Sequence, residues 1–105
     1  MAERDGQGRE EVLTVEKTKT HRPRMYKVLL HNDDYTPMDF VVMVLENVFH
    51  HSQPEAVHIM LSVHKRGQGL AGVFTYEVAE TKVGTVLSMA KRYEYPLQCT
   101  MEPEG

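Results

Sequence analysis

The sequence predicts a small α+β (α/β) domain with the element order β-α-α-β-α-β, in which a three-stranded antiparallel-type sheet carries three helices on one face. Three observations predict it. Short runs rich in strand formers occupy 25–30, 70–76 and 97–101, and the stretches between them repeat apolar residues at helical spacing. Each helical stretch carries a start or stop signal of its own. The chain has 105 residues, 41% hydrophobic and 26% charged, enough for one core and too few for two. A three-stranded sheet with helices on one face buries a single core. If the last β-α-β unit is parallel and right-handed, the first strand lies between the other two.

Met25-Tyr26-Lys27-Val28-Leu29-Leu30 is dense in strand formers and reads as the first strand. It stops at Asn32-Asp33-Asp34, residues whose side chains bond their own backbone in turns. Thr36-Pro37-Met38-Asp39 then starts a helix, with Thr36 as the cap, Pro37 in the first helical position and Asp39 in the first turn. This helix runs to about Phe49. Ser52-Gln53-Pro54-Glu55 repeats the logic as Ser-x-x-Glu and opens a second helix to about Lys65, which Gly67 and Gly69 end. Leu70 to Tyr76 is a second strand. The third helix carries Ala79, Val83, Val86, Leu87 and Ala90 at helical spacing. Its start falls somewhere in 77–81, and Tyr95-Pro96 ends it. Leu97 to Met101 is the third strand, followed by the polar Glu102-Pro103-Glu104.

Charge divides the chain. Residues 1–24 hold six basic and five acidic side chains and no aromatic, whereas the remainder holds six basic, ten acidic and all eight aromatics. The expectation is a flexible, solvated N-terminal arm over 1–24 and a folded domain over 25–105. The net charge of −3 argues against the broad basic surface that nucleic acid requires. No apolar run approaches the ~20 residues of a membrane span. The polar opening Met1-Ala2-Glu3-Arg4-Asp5 does not read as a secretory signal. Cys99, the lone cysteine, can form neither an intramolecular disulfide nor a zinc-thiolate pair, which fits a reducing cytoplasm.

The first helix is apolar over too wide an arc. Val41, Val42, Met43, Val44 and Leu45 are consecutive, whereas packing on one sheet needs a stripe of only about 100° or somewhat more. The surplus must face the second helix or a pocket. Met38 and Val41 share one side of the first helix, and Met60, Val63 and His64 share one side of the second. Together they can enclose an apolar hole with His64 and the Asn32-Asp33-Asp34 loop at its rim. The same residues also fit plainer roles: a Met and Val stripe is ordinary core, Asn-Asp-Asp is turn chemistry, and His64 alone is a surface histidine. His50 and His51 near a helix end favour the helix dipole.

A longer pattern distinguishes these readings. The string Tyr26-Lys27-Val28-Leu29-Leu30-His31-Asn32-Asp33-Asp34-Tyr35-Thr36-Pro37-Met38 resembles the signature of the ClpS adaptor family. So do Met60-Leu61-Ser62-Val63-His64, Gly72-Val73-Phe74, Glu77-Val78-Ala79-Glu80-Thr81-Lys82 and Pro96-Leu97-Gln98-Cys99-Thr100-Met101-Glu102. Five blocks in order cover about residues 24–103. The resemblance implies an α/β fold similar to the C-terminal domain of the bacterial ribosomal stalk protein. It implies an adaptor, not an enzyme, without cofactor or metal. Such an adaptor binds N-end degrons, free N-terminal Phe, Tyr, Trp or Leu, delivers them to the AAA+ unfoldase ClpA for the ClpP peptidase, and modulates the unfoldase's substrate choice.

Carried over residue by residue, the resemblance assigns Asn32, Asp33 and His64 to the degron's α-amino group. It assigns Asp34, Thr36, Met38, Val41, Met60, Val63 and Leu97 to its side-chain pocket, with Asp34 and Thr36 shaping the loop. Glu77 and Lys82 fall to the N-terminal domain of the unfoldase. The expected protein is a cytoplasmic monomer, bound to neither nucleic acid nor membrane. Alternatives are the same degron module with another delivery partner, a non-adaptor protein-interaction domain, a ribosome- or RNA-associated module, and a metal-dependent hydrolase built on His31, Asp33, Asp34 and His64.

Overall fold

A computed structural model describes residues 23–105; the expected arm over 1–24 lies almost wholly outside the described residues. Met25–His31 forms β1, the central strand, flanked by β2 (Gln68–Thr75) and β3 (Gln98–Pro103), both antiparallel to it. The order β2-β1-β3 puts the first strand between the other two, as the topology rule anticipates. β2 and β3 therefore run parallel to each other across β1, joined by α3 (Tyr76–Arg92), which packs on all three strands. The other helices, α1 (Met38–Asn47) and α2 (Gln53–Arg66), are stacked on each other, and α2 lies along β2.

Alternation along β1 sorts its side chains between two faces. Val28 and Leu30 are fully buried and enter the core with Phe40, Val44 and Leu45 of α1, Ala56 and Val63 of α2, and Ala79, Val86 and Ala90 of α3. The opposite face carries cross-strand pairs: Lys27 Nζ lies 3.6 Å from Glu102 Oε2, and His31 Nε2 lies 2.7 Å from Thr100 Oγ1. Between β1 and β2 the register slips by one residue, because Val28 faces Gly72 and Leu29 faces Leu70. The residue skipped is Ala71. Its carbonyl, released from the ladder by this bulge, accepts a hydrogen bond from His51 Nε2 at 2.7 Å.

The helix ends frame the mouth between β1 and α2. Ser52 caps α2 through Oγ, which accepts from Glu55 N at 3.4 Å, and Gly67 ends it in the left-handed region at φ 92°. The start of α1 differs from the expectation. The cap position is Pro37, no side chain caps the helix, and the Thr36 hydroxyl is engaged elsewhere. α1 also stops at Asn47 rather than Phe49: His50 turns left-handed at φ 60°, and His51 N reaches back to Leu45 O at 3.1 Å. α3 begins at Tyr76, ahead of the 77–81 window, directly off the end of β2.

Candidate functional site

β1 ends at one mouth of the molecule, and the chain leaving it is tied at once to the end of α2: Asn32 N donates to Gly67 O at 2.9 Å. That bond brings the 32–36 loop beside the last turn of α2, where His64 stands exposed. Pro37 then directs α1 away, with Met38 and Val41 turned toward Met60 and Val63 of α2. The result is a cavity of about 210 Å³, with Asn32, Asp33, Asp34, Thr36 and His64 as its polar lining and Met38, Val41, Met60 and Val63 as its apolar wall. It is below the ~300–1,000 Å³ of drug-sized pockets and suits one amino-acid side chain.

α2 must approach β2 closely to set this wall. A Cβ on Gly69 would lie 2.7 Å from Val63 Cγ2 and 3.2 Å from Ile59 O, so only glycine permits the contact. Val63, 3% exposed, is thereby held against the strand on one side and faces the cavity on the other.

Asp33 organises the loop. Its Oδ1 accepts from Tyr35 N at 2.8 Å and Thr36 N at 2.7 Å, and its Oδ2 accepts from the Thr36 hydroxyl at 2.6 Å. Burial pushes the Asp33 carboxyl up, but the bond from the Thr36 hydroxyl and those from the Tyr35 and Thr36 amides outweigh it and hold it below its ordinary 3.8. Asp33 is therefore an anion at neutral pH. A carboxylate has roughly four acceptor sites. Three are filled, and the one left is on Oδ2.

Nine of the ten residues nominated for the degron site line this cavity; Leu97 does not. Leu97 is 2% exposed, a core residue that borders a second depression of about 910 Å³ with Tyr35, Leu87, Tyr95 and Pro96 among its neighbours. The Tyr95-Pro96 break places Leu97 just ahead of β3, on the side of the sheet edge that α3 covers. That second groove is larger and more open to solvent. Among the described residues no three His, Cys, Asp or Glu side chains gather where they could hold a metal ion, so the set His31, Asp33, Asp34 and His64 forms no such centre.

The two residues nominated for a partner surface are differently placed. Glu77 is exposed in the first turn of α3, beside a shallow cleft formed with Arg24, Tyr26 and Tyr76. Lys82, five residues on and so about 140° around the helix, turns inward. Its Nζ donates to Val48 O at 2.7 Å and lies 5.7 Å and 5.4 Å from the Phe49 and Phe74 ring centroids. Lys82 thus ties α3 to the C-terminal end of α1, where a cation is favourable. Three features of the site were missed in the sequence: the Asn32–Gly67 tie, the close approach at Gly69 and the inward turn of Lys82. Only the second had a local signal, a glycine in a strand.

Comparison with known proteins bears on the whole described region. The family model for the ATP-dependent Clp protease adaptor protein ClpS matches residues 21–100. The ATP-dependent Clp protease adapter protein ClpS of Desulfatibacillum aliphaticivorans is 65% identical over 94 residues, covering 90% of either chain. That of Caulobacter vibrioides strain NA1000 / CB15N is 55% identical over 109 residues, covering 99% of this chain and all of the relative. Among solved structures, Agrobacterium tumefaciens ClpS2 bound to L-phenylalaninamide superposes with a TM-score of 0.77 at 41% identity, over 79% of this chain and 100% of that one.

Proposed function

The chain belongs to the ClpS family of Clp protease adaptors, and from that premise we propose that its cavity binds the first residue of proteins that begin with Phe, Tyr, Trp or Leu. The observation that carries this reading is the meeting of acceptors and apolar wall in a space for one side chain. A free N-terminus is an ammonium with three donors. Asn32 offers an amide oxygen, Asp33 the remaining site on Oδ2 and His64 a ring nitrogen, directly or through water. Charge-assisted bonds of this kind contribute roughly 1.5–3 kcal/mol each. Burial of a Leu or Phe side chain against Met38, Val41, Met60 and Val63 contributes about 1.5–3 kcal/mol more. Together these gross contributions come to roughly 6–12 kcal/mol, from which the cost of association is subtracted, so the net affinity is far weaker than the gross sum. The ClpS2 ligand, phenylalaninamide, has the same two parts, a free α-amine and an apolar ring.

The finer assignments extend the reading. The adaptor delivers its cargo to the N-terminal domain of the ClpA unfoldase, and ClpP degrades it, all in the cytoplasm. Exposed Glu77 supplies a charge for that contact, and Lys82 acts by holding α3 on α1 beneath it. The adaptor itself performs no catalysis. Peptide titration tests the proposal: peptides starting with Phe and Leu should bind, whereas one starting with Ile and acetylated Phe should not. Equal binding of free and acetylated peptides would overturn the amine assignment.

A further inference from the structure

Met38 is the exposed methionine among the described residues. It is 45% accessible, whereas Met25, Met43, Met60, Met89 and Met101 are all partly buried. It is also the first residue of α1 and part of the apolar wall of the cavity, which it shares with Met60. We propose that Met38 is a reversible oxidation site through which hydroperoxides close the degron pocket, an inference that rests on the reading of the cavity given above.

The chemistry is oxygen-atom transfer. A lone pair on Met38 Sδ attacks one peroxide oxygen, an S–O bond forms as the O–O bond breaks, and hydrogen peroxide leaves as water. The thioether is oxidised by two electrons and the peroxide is reduced by two. A thiol-dependent methionine sulfoxide reductase reverses the step, releasing the oxygen as water and oxidising its own thiols to a disulfide. The competing thiol of this chain is withdrawn: Cys99 is buried, and burial pushes its thiol up to about 12, so no thiolate meets the oxidant.

Closure follows from polarity. The sulfoxide replaces a flexible apolar wall by a polar, chiral group. An incoming Phe or Leu side chain would have to desolvate its oxygen beside Val41 and Val63, which offer no donor. Thr36 Oγ1 is already committed to Asp33, and the other side-chain donors of the lining, Asn32 and His64, are exposed residues assigned to the degron amine in the same reading. The same geometry makes the effect reciprocal, because a bound degron covers Met38 and shields it from peroxide.

The test treats the full chain with hydrogen peroxide, maps sulfoxides by mass spectrometry and titrates a Phe-initiated peptide. Met38 should oxidise ahead of Met60 and Met101, and peptide present during treatment should slow oxidation at Met38 but not at Met101. The Kd should rise by about tenfold or more and return after treatment with MsrA and MsrB. Met38→Leu, compared with its own untreated form, should keep its Kd through the same exposure. Modified Met38 with an unchanged Kd, or a Met38→Leu protein that loses affinity as the parent does, would overturn the inference alone. An untreated protein that ignores the peptide would overturn the pocket assignment and the inference with it.

Discussion

On the proposed reading Asp33 serves the site in two ways that a single substitution removes together. Three of its acceptor positions hold the 33–36 loop, and the fourth is the one proposed to take the degron amine. Asp33→Ala should therefore abolish peptide binding and also loosen the loop. His64→Ala should weaken binding by about 1.5–3 kcal/mol with an unchanged melting temperature, since His64 stands exposed at the rim. Calorimetry of binding and of unfolding distinguishes the two patterns. Because folding lowers the Asp33 carboxyl below 3.8, its stabilising contribution is fully present above that value and is lost as pH falls through the folded value. The melting-temperature gap between the parent and Asp33→Asn should thus stay constant from pH 7 to 5 and shrink below 3.8; a gap that closes already near pH 6 would contradict the bond set. On the alkaline side the peptide amine deprotonates near ~7.7–8.0, so affinity should fall above pH 8. Met38 lines the cavity from the first turn of α1, and on the proposed reading it crowds a β-branched first residue. Met38→Ala should admit Ile and Val at the first peptide position, which competition binding would report.

Packing between elements sets the pocket wall. Gly69→Ala would drive a methyl into Val63 Cγ2, so α2 must shift from β2. The expected loss is about 1–3 kcal/mol of stability together with weaker peptide binding, read by chemical denaturation and titration. Lys82→Met keeps the apolar stem over Phe49 and Phe74 but leaves Val48 O unpaired, so it should cost about 1–3 kcal/mol in stability while degron affinity holds. At this scale much of the fold was legible. Dense strand formers at Met25–Leu30, the Ser52 cap and the Gly67 stop act locally, and local patterns carry them. The end of α1 and the cap at Thr36 were not, because each was decided by a competing partner. Asp33 took the Thr36 hydroxyl, and the left-handed His50 turned the chain early. The gathering of Met38, Val41, Met60, Val63 and His64 was legible from helical spacing, whereas the place of Leu97, buried just ahead of β3, was not, because no periodicity specifies which side of a sheet edge a linker residue will enter.

For the molecule as a whole, the proposed reading puts binding and delivery on different ground. The cavity draws its residues from 32 to 64, between β1 and α2, whereas Glu77 opens α3 beside Tyr26 and Arg24. Deleting residues 1–20 removes none of the cavity residues, so peptide affinity should be retained. Degradation of a Phe-initiated protein by the unfoldase–peptidase pair should slow if that polar segment takes part in transfer. Full-rate degradation by the truncated protein would remove it from delivery. The central claim is narrower: the small cavity, rather than the larger groove along α3, receives an amino acid through its free amine and apolar side chain. Titrating the ¹⁵N-labelled protein with phenylalaninamide tests it most directly. Amide resonances of Asn32 to Val41 and Met60 to His64 should move, and acetylation of the ligand should suppress the movement. Shifts centred instead on Leu87, Tyr95 and Leu97 would place the ligand in the groove and contradict the account.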